Sequence, residues 1–277
     1  MKLHTSRSLN AEGAVRHIVG WMVDYLDQSG LDGWVVGVSG GIDSAVTSTL
    51  AALTGRPTTL LRMPIHQAVD QDQRGADHIA QLEAAHGHVS SCVVDLTSSF
   101  DGLSSALSAS AGGPFGGLSL ANARARLRMT TLYAVAAERR ALVAGTGNQV
   151  EDFGVGFYTK YGDGGVDLSP IADLLKSEVY AVGRVLGIGE AILKAAPTDG
   201  LWGDDRTDED QLGARYDELE WAMEQVSLGR DAAGYDAGSR ESEVMQIYAK
   251  HHRANRHKMD PIPVCVMPAG LFGLEQQ

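Results

Sequence analysis

The chain has 277 residues, of which 44% are hydrophobic and 21% are charged, and its formal net charge is −12. This acidic balance argues against nonspecific nucleic-acid binding, which depends on a basic surface. No apolar run approaches the ~20 residues of a membrane span. The N-terminal segment has no apolar core of the signal-peptide kind, and two cysteines without a CxxC pair argue against a disulfide framework. We therefore expect a cytoplasmic protein that does not bind nucleic acid or a membrane.

Strand and helix patterns alternate along the first half of the chain. Asn10 is suited to cap a helix over 11–29, which has apolar residues on one face. Strand-like runs follow at 34–38, 58–63, 89–95 and 140–144. Helical patterns separate them at 43–54, 70–86 and 118–138. The alternation predicts a Rossmann-like, doubly wound and mostly parallel sheet flanked by helices, with ligands at the carboxyl ends of its strands.

The second half of the chain has a different pattern. Residues 110–117 are rich in glycine and predict a loop, and residues 145–168, rich in glycine and aspartate, predict an active-site loop. Helical patterns return at about 169–186, 209–228 and 239–256. We find no internal repeat and no long linker, so one domain over 1–277 is the simplest prediction.

The turn SGGIDS, residues 39–44, is the first candidate site. It connects a predicted buried strand to a predicted helix, and a helix N-terminus offers unpaired N–H groups and a positive dipole end to an anion. Gly40 and Gly41 let phosphate oxygens approach the backbone, and Asp43 can hold Mg²⁺ against them. No lysine follows the glycines, so the turn is not a Walker motif. The pattern predicts a site for nucleotide phosphates.

A second candidate region covers residues 145–180. Thr146 follows the strand at 140–144, so it belongs to the same edge of the sheet as the SGGIDS turn. Glu151 is a candidate second ligand for the Mg²⁺ held by Asp43, although a surface carboxylate is the simpler interpretation. Lys176 lies in a predicted helix among leucines, where a solvated lysine is the common case. A GDGG turn that is also compatible with a plain hairpin is flanked by Lys160, Asp163 and Asp167.

Together these motifs resemble NAD synthetase, a family of ATP pyrophosphatases with an adenine nucleotide alpha-hydrolase-like fold. The matching segments are SGGIDS, GTGNxxE, TKYGDGGxD, PIxxLxK, PTDGLW…TDED and the closing NRHKMDPIP. They follow the family's order from about residue 10 to residue 263. The resemblance implies a ligase for the last step of NAD biosynthesis. ATP adenylylates the nicotinate carboxylate of deamido-NAD with release of pyrophosphate, and ammonia then displaces AMP to give NAD.

The resemblance also implies roles for individual residues. Asp43 and Lys176 would be catalytic, with Lys176 neutralising phosphate charge, and Asp43 and Glu151 would bind Mg²⁺. ATP would contact Gly37, Val38, Ser39, Gly40, Gly41, Ile42, Asp43, Ser44, Thr146, Lys176 and Thr198. Deamido-NAD would contact Arg126, Lys160, Asp167, His257 and Lys258.

Two of these positions have alternatives. The spacing from Glu151 to Lys160 is one residue longer than in other members, so Asp152 stays open as the metal ligand. Arg126 lies opposite Arg124 and Arg128 on a predicted helix, and a structural ion pair is its alternative role. A non-catalytic nucleotide sensor is the alternative to an enzyme.

The nitrogen source and the assembly follow from the same resemblance. Glutamine-using members carry an amidase domain before the loop, whereas here the loop begins at residue 39 and no cysteine lies near the N-terminus. We therefore expect a single NAD synthetase domain that uses free ammonia, unless a partner amidase supplies it. Family members are homodimers with the dinucleotide at the interface. A homodimer is therefore expected, with helices 11–29 and 118–138 as candidate contact surfaces.

Overall fold

The computed structural model describes residues 3–67, 69–198 and 207–272. A parallel sheet of four strands forms its centre, in the order β3-β2-β1-β4. The strands are β1 (Gly33–Gly37), β2 (Thr58–Arg62), β3 (Val89–Val93) and β4 (Ala141–Val143). The prediction of a doubly wound parallel sheet is confirmed.

Helices cover both faces of this sheet. Asn10 caps the first helix as predicted, because its side chain accepts a hydrogen bond from Gly13 N at 3.0 Å. The helices are α1 (Ala11–Ser29), α2 (Ile42–Leu53), α3 (Val69–Ala85), α4 (Thr97–Ala111), α5 (Gly117–Arg139), α6 (Lys176–Val185), α7 (Glu190–Leu193), α8 (Asp208–Leu212), α9 (Tyr216–Ser227) and α10 (Arg240–Met259). None of the helices in the described part of the chain is long and apolar enough to cross a membrane.

Alternate residues of β1 supply the two halves of the core. Trp34 and Val36 belong to a cluster with α1, α2 and α6, whereas Val35 belongs to a cluster with α4 and α5. All three side chains are fully buried. A third apolar cluster joins α9 and α10 to the segment after β4. Burial on both sheet faces explains why β1 and β4 appear in the sequence as nearly continuous apolar runs, whereas β3, at the edge of the sheet, is mostly exposed.

The chain order of the strands places the candidate site. From β1 the chain crosses to β2 on one side, and β4 pairs with β1 on the other side. Ligands of such sheets bind where the strand order reverses, beyond the carboxyl ends of the strands. The segment that follows β1 is the SGGIDS turn, and the segment that follows β4 begins with Gly145 and Thr146. The fold therefore brings the two candidate regions together.

The structure differs from the predicted elements in four places. Helix α4 was not predicted, and residues 150–155 of the predicted loop form a π-helical turn. The helix predicted over 169–186 begins only at Lys176, and the one predicted over 209–228 is split into α8 and α9 at Gly213, whose φ is +79°. Residues 199–206 of the PTDGLW…TDED motif lie outside the described residues.

Candidate active site

One cavity at the carboxyl ends of β1 and β4 brings together every residue predicted to bind ATP. It has a volume of about 250 Å³. Glu151 and Asp163 also line it. The predicted ATP-binding residues in its wall are Gly37, Val38, Ser39, Gly40, Gly41, Ile42, Asp43, Ser44, Thr146, Lys176 and Thr198.

The SGGIDS turn has the backbone conformation of an anion site. Gly40 has a φ of +82°, and a Cβ there would lie 2.3 Å from the carbonyl oxygen of Gln71, so only glycine fits. Ser44 Oγ accepts from Ser39 N at 3.2 Å and donates to Gly41 O at 3.0 Å, which holds the turn closed. Gly41, the N-cap of α2, makes no side-chain cap. The first-turn N–H groups of α2 are thus left for a ligand.

Lys176 is the charged centre of the cavity. Its Nζ lies 2.6 Å from Asp43 Oδ2 and 2.9 Å from Glu151 Oε1, and its side chain is 4% exposed. Burial alone would lower the pKa of Lys176, but the two carboxylates outweigh this effect and raise it. Lys176 is the first residue of α6 rather than a solvated residue on a helix flank. The ammonium therefore stays charged and joins residues from three separate segments.

Two side chains that were not singled out from the sequence orient this group. Asn148 Nδ2 donates to Asp43 Oδ1 at 3.1 Å, and its Oδ1 accepts from the backbone N–H of Glu151. Tyr216 OH donates to Glu151 Oε1 at 2.6 Å, and its ring lies 4.8 Å from Lys176 Nζ. Asn148 belongs to the GTGN motif, which marks it in the sequence. Tyr216 follows an acidic stretch, and no sequence pattern connects it to the segment after β4.

The π-helical turn bears on the choice between Glu151 and Asp152. Glu151 faces Lys176, and although burial raises the pKa of Glu151, its hydrogen bonds and the charge of Lys176 lower it overall. The Asp152 carboxylate lies instead against Gly147, where a Cβ would be 2.0 Å from Asp152 Oδ2. A turn closed by i→i+5 bonds holds one more residue than an α-helical turn. This accommodates the long spacing between Glu151 and Lys160.

The residues predicted to bind deamido-NAD lie outside the cavity. The Arg126 guanidinium donates to the carbonyl oxygen of Lys160 at 3.2 and 3.3 Å, and Lys160 Nζ donates to that of His257 at 2.6 Å. Lys258, the next residue, also donates only to backbone carbonyls. These four residues form one connected group, which we call the basic surface: Arg126, Lys160, His257 and Lys258.

Asp167 is separate from the basic surface. Its Oδ1 accepts from Tyr133 OH at 3.0 Å, and its Oδ2 accepts from the backbone N–H of Val143 at 2.8 Å. These bonds tie the GDGG segment to β4 and α5. Within the described part of the chain, the Arg126 side chain is bonded to a carbonyl oxygen rather than to a carboxylate, so it does not form the structural ion pair that was its alternative role.

Comparison with known proteins identifies the family. The NAD synthase family model matches residues 14–261, which is most of the chain. The chain belongs to the NAD synthase family. The NH₃-dependent NAD⁺ synthetase of Carboxydothermus hydrogenoformans is 34% identical over 251 residues, which cover 90% of this chain and 96% of that protein.

Solved structures of similar proteins agree with this fold. An NMN synthetase from Francisella tularensis aligns with a TM-score of 0.79 and 30% identity, over 95% of this chain and 100% of that one. The NH₃-dependent NAD synthetase of Campylobacter jejuni aligns with a TM-score of 0.74 over 94% of this chain and 100% of that one. At 21% identity the second likeness speaks for the fold alone.

The donor set of the cavity fits a hard divalent cation. Mg²⁺ prefers oxygen ligands and is usually bound by one or two carboxylates together with substrate phosphates. Asp43 and Glu151 present two carboxylates that already share one cationic partner. Within 3–67, 69–198 and 207–272, no group of three or more histidine, cysteine or acidic residues could hold a metal. Such a site would need oxygen atoms from the substrate.

Proposed function

We propose that this protein is an ammonia-dependent NAD synthetase that amidates deamido-NAD at the expense of ATP. One observation carries the proposal: Lys176, Asp43 and Glu151 meet beside the SGGIDS turn in a single cavity. Membership of the NAD synthase family supports the same reaction. A nucleotide sensor has no need for a buried cation held between two carboxylates, so the geometry favours an enzyme.

The first step joins the two substrates. A nicotinate carboxylate oxygen attacks the α-phosphorus of ATP, the bond from that phosphorus to the bridging oxygen breaks, and pyrophosphate leaves with the electron pair. The SGGIDS turn holds the phosphates by its backbone N–H groups, and the Lys176 ammonium neutralises charge on the transferring phosphoryl group. Positioning and charge suffice for this step, so no protein nucleophile is required.

Asp43 and Glu151 would hold Mg²⁺, which would offset negative charge on the phosphates. Two features support Glu151 over Asp152 as the second ligand. Glu151 shares Lys176 with Asp43, and Tyr216 holds it in place.

The second step needs a base, because ammonia is mostly ammonium at neutral pH. Asp163 lines the cavity, and desolvation by the surrounding protein, with Glu151 nearby, raises the pKa of its carboxyl to about 6. A carboxylate with that pKa accepts a proton more readily than an ordinary one. Asp163 takes a proton from ammonium, and the resulting ammonia attacks the activated carbonyl carbon. The bond from that carbon to the phosphate oxygen breaks, AMP leaves with the electron pair, and the nitrogen releases its extra proton to water. Asp163 was noted in the sequence only as part of a turn.

The dinucleotide half of the site supports a homodimer. The basic surface lies outside the cavity and binds only backbone carbonyls, so a second copy of the chain can enclose a dinucleotide against it. We further propose that residues 1–277 act as one NAD synthetase domain in the cytoplasm, supplied with free ammonia or by a partner amidase. Sedimentation with and without deamido-NAD tests the dimer, and a single cooperative unfolding transition tests the domain.

The activity is tested by measuring AMP, pyrophosphate and NAD formation from ATP, Mg²⁺, deamido-NAD and ammonium, with each omitted in turn. We expect equal amounts of the three products, formed only from the complete mixture. Binding of ATP without turnover would identify a sensor. A rate with glutamine that equals the rate with ammonium would contradict free ammonia as the donor.

A mononucleotide substrate is the second candidate, since one similar structure is that of an NMN synthetase. The chemistry is identical, and only the second half of the substrate differs. Comparing kcat/KM for deamido-NAD and for nicotinate mononucleotide separates them. The basic surface favours the dinucleotide because it extends the site beyond the cavity.

A further inference from the structure

A cation that takes part in neither of the two reaction steps lies beside the SGGIDS turn. Arg74 is a half-buried residue of α3, and its Nε donates to Gly40 O at 3.5 Å. Its side chain lines the same cavity as Asp43 and Lys176. We propose that Arg74 binds the β- and γ-phosphates of ATP and the pyrophosphate formed from them. This inference rests on the proposed function, because it assigns a further residue to the same nucleotide site.

The backbone of α3 fixes Arg74 at the turn. A Cβ at Gly40 would lie 2.3 Å from Gln71 O and 3.1 Å from Gly75 N, and a Cβ at Gly75 would lie 3.4 Å from Gly40 N. Gly40 therefore lets α3 and the turn approach more closely than a side chain there would permit, whereas a Cβ at Gly75 would make only an ordinary van der Waals contact. Because Arg74 precedes Gly75, its side chain starts next to the phosphate-binding turn and needs no long reach.

Carboxylates outnumber cations along the described part of the cavity wall. Lys176 already binds two of these carboxylates, so only part of its charge remains for a ligand. A triphosphate adds several negative charges to this acidic surface. The lining carboxylates are Asp43, Asp72, Glu151, Asp163 and Asp208, and the lining cations are Arg74, Arg128 and Lys176.

Arg74 differs from the other two cations in its partners. The Arg128 guanidinium donates to Met63 O and Gln67 Oε1. Within residues 3–67, 69–198 and 207–272, Arg74 forms no ion pair with an acidic side chain. Its planar guanidinium is thus available for two parallel hydrogen bonds to phosphate oxygens, the geometry that this group prefers.

Binding of three probes tests the assignment, with calorimetric titration of ATP, inorganic pyrophosphate and AMP in the presence of Mg²⁺. For Arg74→Gln we expect the affinity for ATP and for pyrophosphate to fall roughly tenfold or more, since a charged hydrogen bond is lost. AMP lacks the two phosphates, so its affinity should stay within about twofold. Arg74→Lys should lie between wild type and Arg74→Gln, because lysine keeps the charge but not the fork. Arg184→Gln, an exposed arginine at the far end of α6, is the matched control.

Three results would overturn the assignment. They are wild-type affinity of Arg74→Gln for pyrophosphate, an equal loss of AMP and ATP affinity, and an equal loss in Arg184→Gln. If Arg74→Gln does not fold, Arg74→Lys decides: a selective loss of pyrophosphate affinity supports the assignment, and unchanged affinity contradicts it. A wild-type protein that binds ATP but makes no NAD would refute the proposed function while leaving the assignment of Arg74 intact.

Discussion

The cavity and the basic surface are built in opposite ways. In the cavity, the cation Lys176 is almost fully buried and is matched by two carboxylates of the same chain. On the basic surface, Arg126, Lys160 and Lys258 donate to backbone carbonyls and so keep their net charge. The first region is complete within one chain. The second region still needs an anion or another surface to match its charge.

This difference assigns separate tasks to the two regions. A buried, internally matched group fixes geometry, which is what transfer of a phosphoryl group demands. Exposed cations attract and hold an anionic substrate but contribute less to the geometry of reacting atoms. Changes in the cavity should therefore act on turnover and stability, and changes on the basic surface should act on the affinity for deamido-NAD.

The largest effect is expected for Lys176→Met, which removes the charge and keeps most of the stem. We expect kcat to fall more than about 10³-fold, because phosphate charge is no longer neutralised. The free energy of unfolding should also fall, by about 3–5 kcal/mol, because two buried carboxylates lose their cation. AMP formation and urea unfolding measure the two effects. Lys194→Met, on an exposed pair with Glu190, is the control.

A loss of less than tenfold for Lys176→Met would remove the distinction between the two regions. The role that the family resemblance implies for Lys176 accounts for the loss of turnover. The contacts of Lys176 with Asp43 and Glu151 account for the expected loss of stability.

Asp163→Asn should separate the two steps of the reaction. We expect NAD formation to fall about 10²–10³-fold, because the base is lost. Exchange of pyrophosphate into ATP in the presence of deamido-NAD should persist, because adenylylation does not use Asp163. Asp32→Asn, at the opposite end of the sheet, is the control. Equal loss of both activities would contradict the role of base.

The role of Asp163 as a base also predicts how the rate of NAD formation depends on pH. A base acts when it is deprotonated, and the pKa of Asp163 is raised to about 6 by desolvation. At a constant concentration of ammonium, the rate should therefore fall as the pH drops below about 6. Asp163→Asn should abolish this decline.

We expect acid to lower the free energy of unfolding because of the buried residue His78. Its Nε2 lies 2.9 Å from Ser48 Oγ between α3 and α2, and burial lowers its pKa from 6.5 to about 4. Between these pH values the unfolded chain binds a proton that the folded chain does not. The free energy of unfolding should therefore fall as pH is lowered, by up to about 3 kcal/mol. Urea unfolding at several pH values measures the slope.

The pH dependence of the free energy of unfolding should be compared between His78→Gln and the exposed control His17→Gln. The first variant should lose the contribution of His78, and the second should keep it. Identical slopes in wild type and His78→Gln would show that His78 does not titrate in this way.

The smallest effect is expected on the basic surface. Arg126→Gln should raise KM for deamido-NAD about tenfold, the cost of one charged hydrogen bond, with little change in kcat. ATP affinity should not change, because Arg126 does not line the cavity. Arg139→Gln, exposed on the same helix, is the control. A matching loss of ATP affinity would show that the two regions are not separate.

The sequence predicted β1, β2 and β4 well because these strands are buried on both faces, whereas β3 is an edge strand that is exposed at three of its five residues. It missed α4 because that segment is rich in serine, and Phe100 is its only buried residue. It extended α6 back to residue 169, whereas the helix begins at Lys176. There Glu178 Oε2 accepts from Leu175 N, and Gln149 N donates to Leu174 O. The second of these contacts joins residues far apart in the sequence, so it leaves no local pattern.

The candidate site was predictable where function and local pattern coincide. Glycines and a helix start mark the SGGIDS turn, and motif order leads to Lys176. Tyr216 and Arg74 have no such mark, because each reaches the site only when distant elements pack together. The family resemblance supplied the residues of the basic surface, which no periodicity in the chain distinguishes from other surface cations.

The position of Lys176 has a consequence for the order of assembly. Two buried carboxylates would normally repel each other and oppose folding until a cation arrived. Here the cation is part of the polypeptide, since Lys176 Nζ contacts both Asp43 and Glu151. The chain can therefore complete its fold before it meets a metal or a nucleotide. Maturation of the protein is thereby independent of the supply of its own substrates.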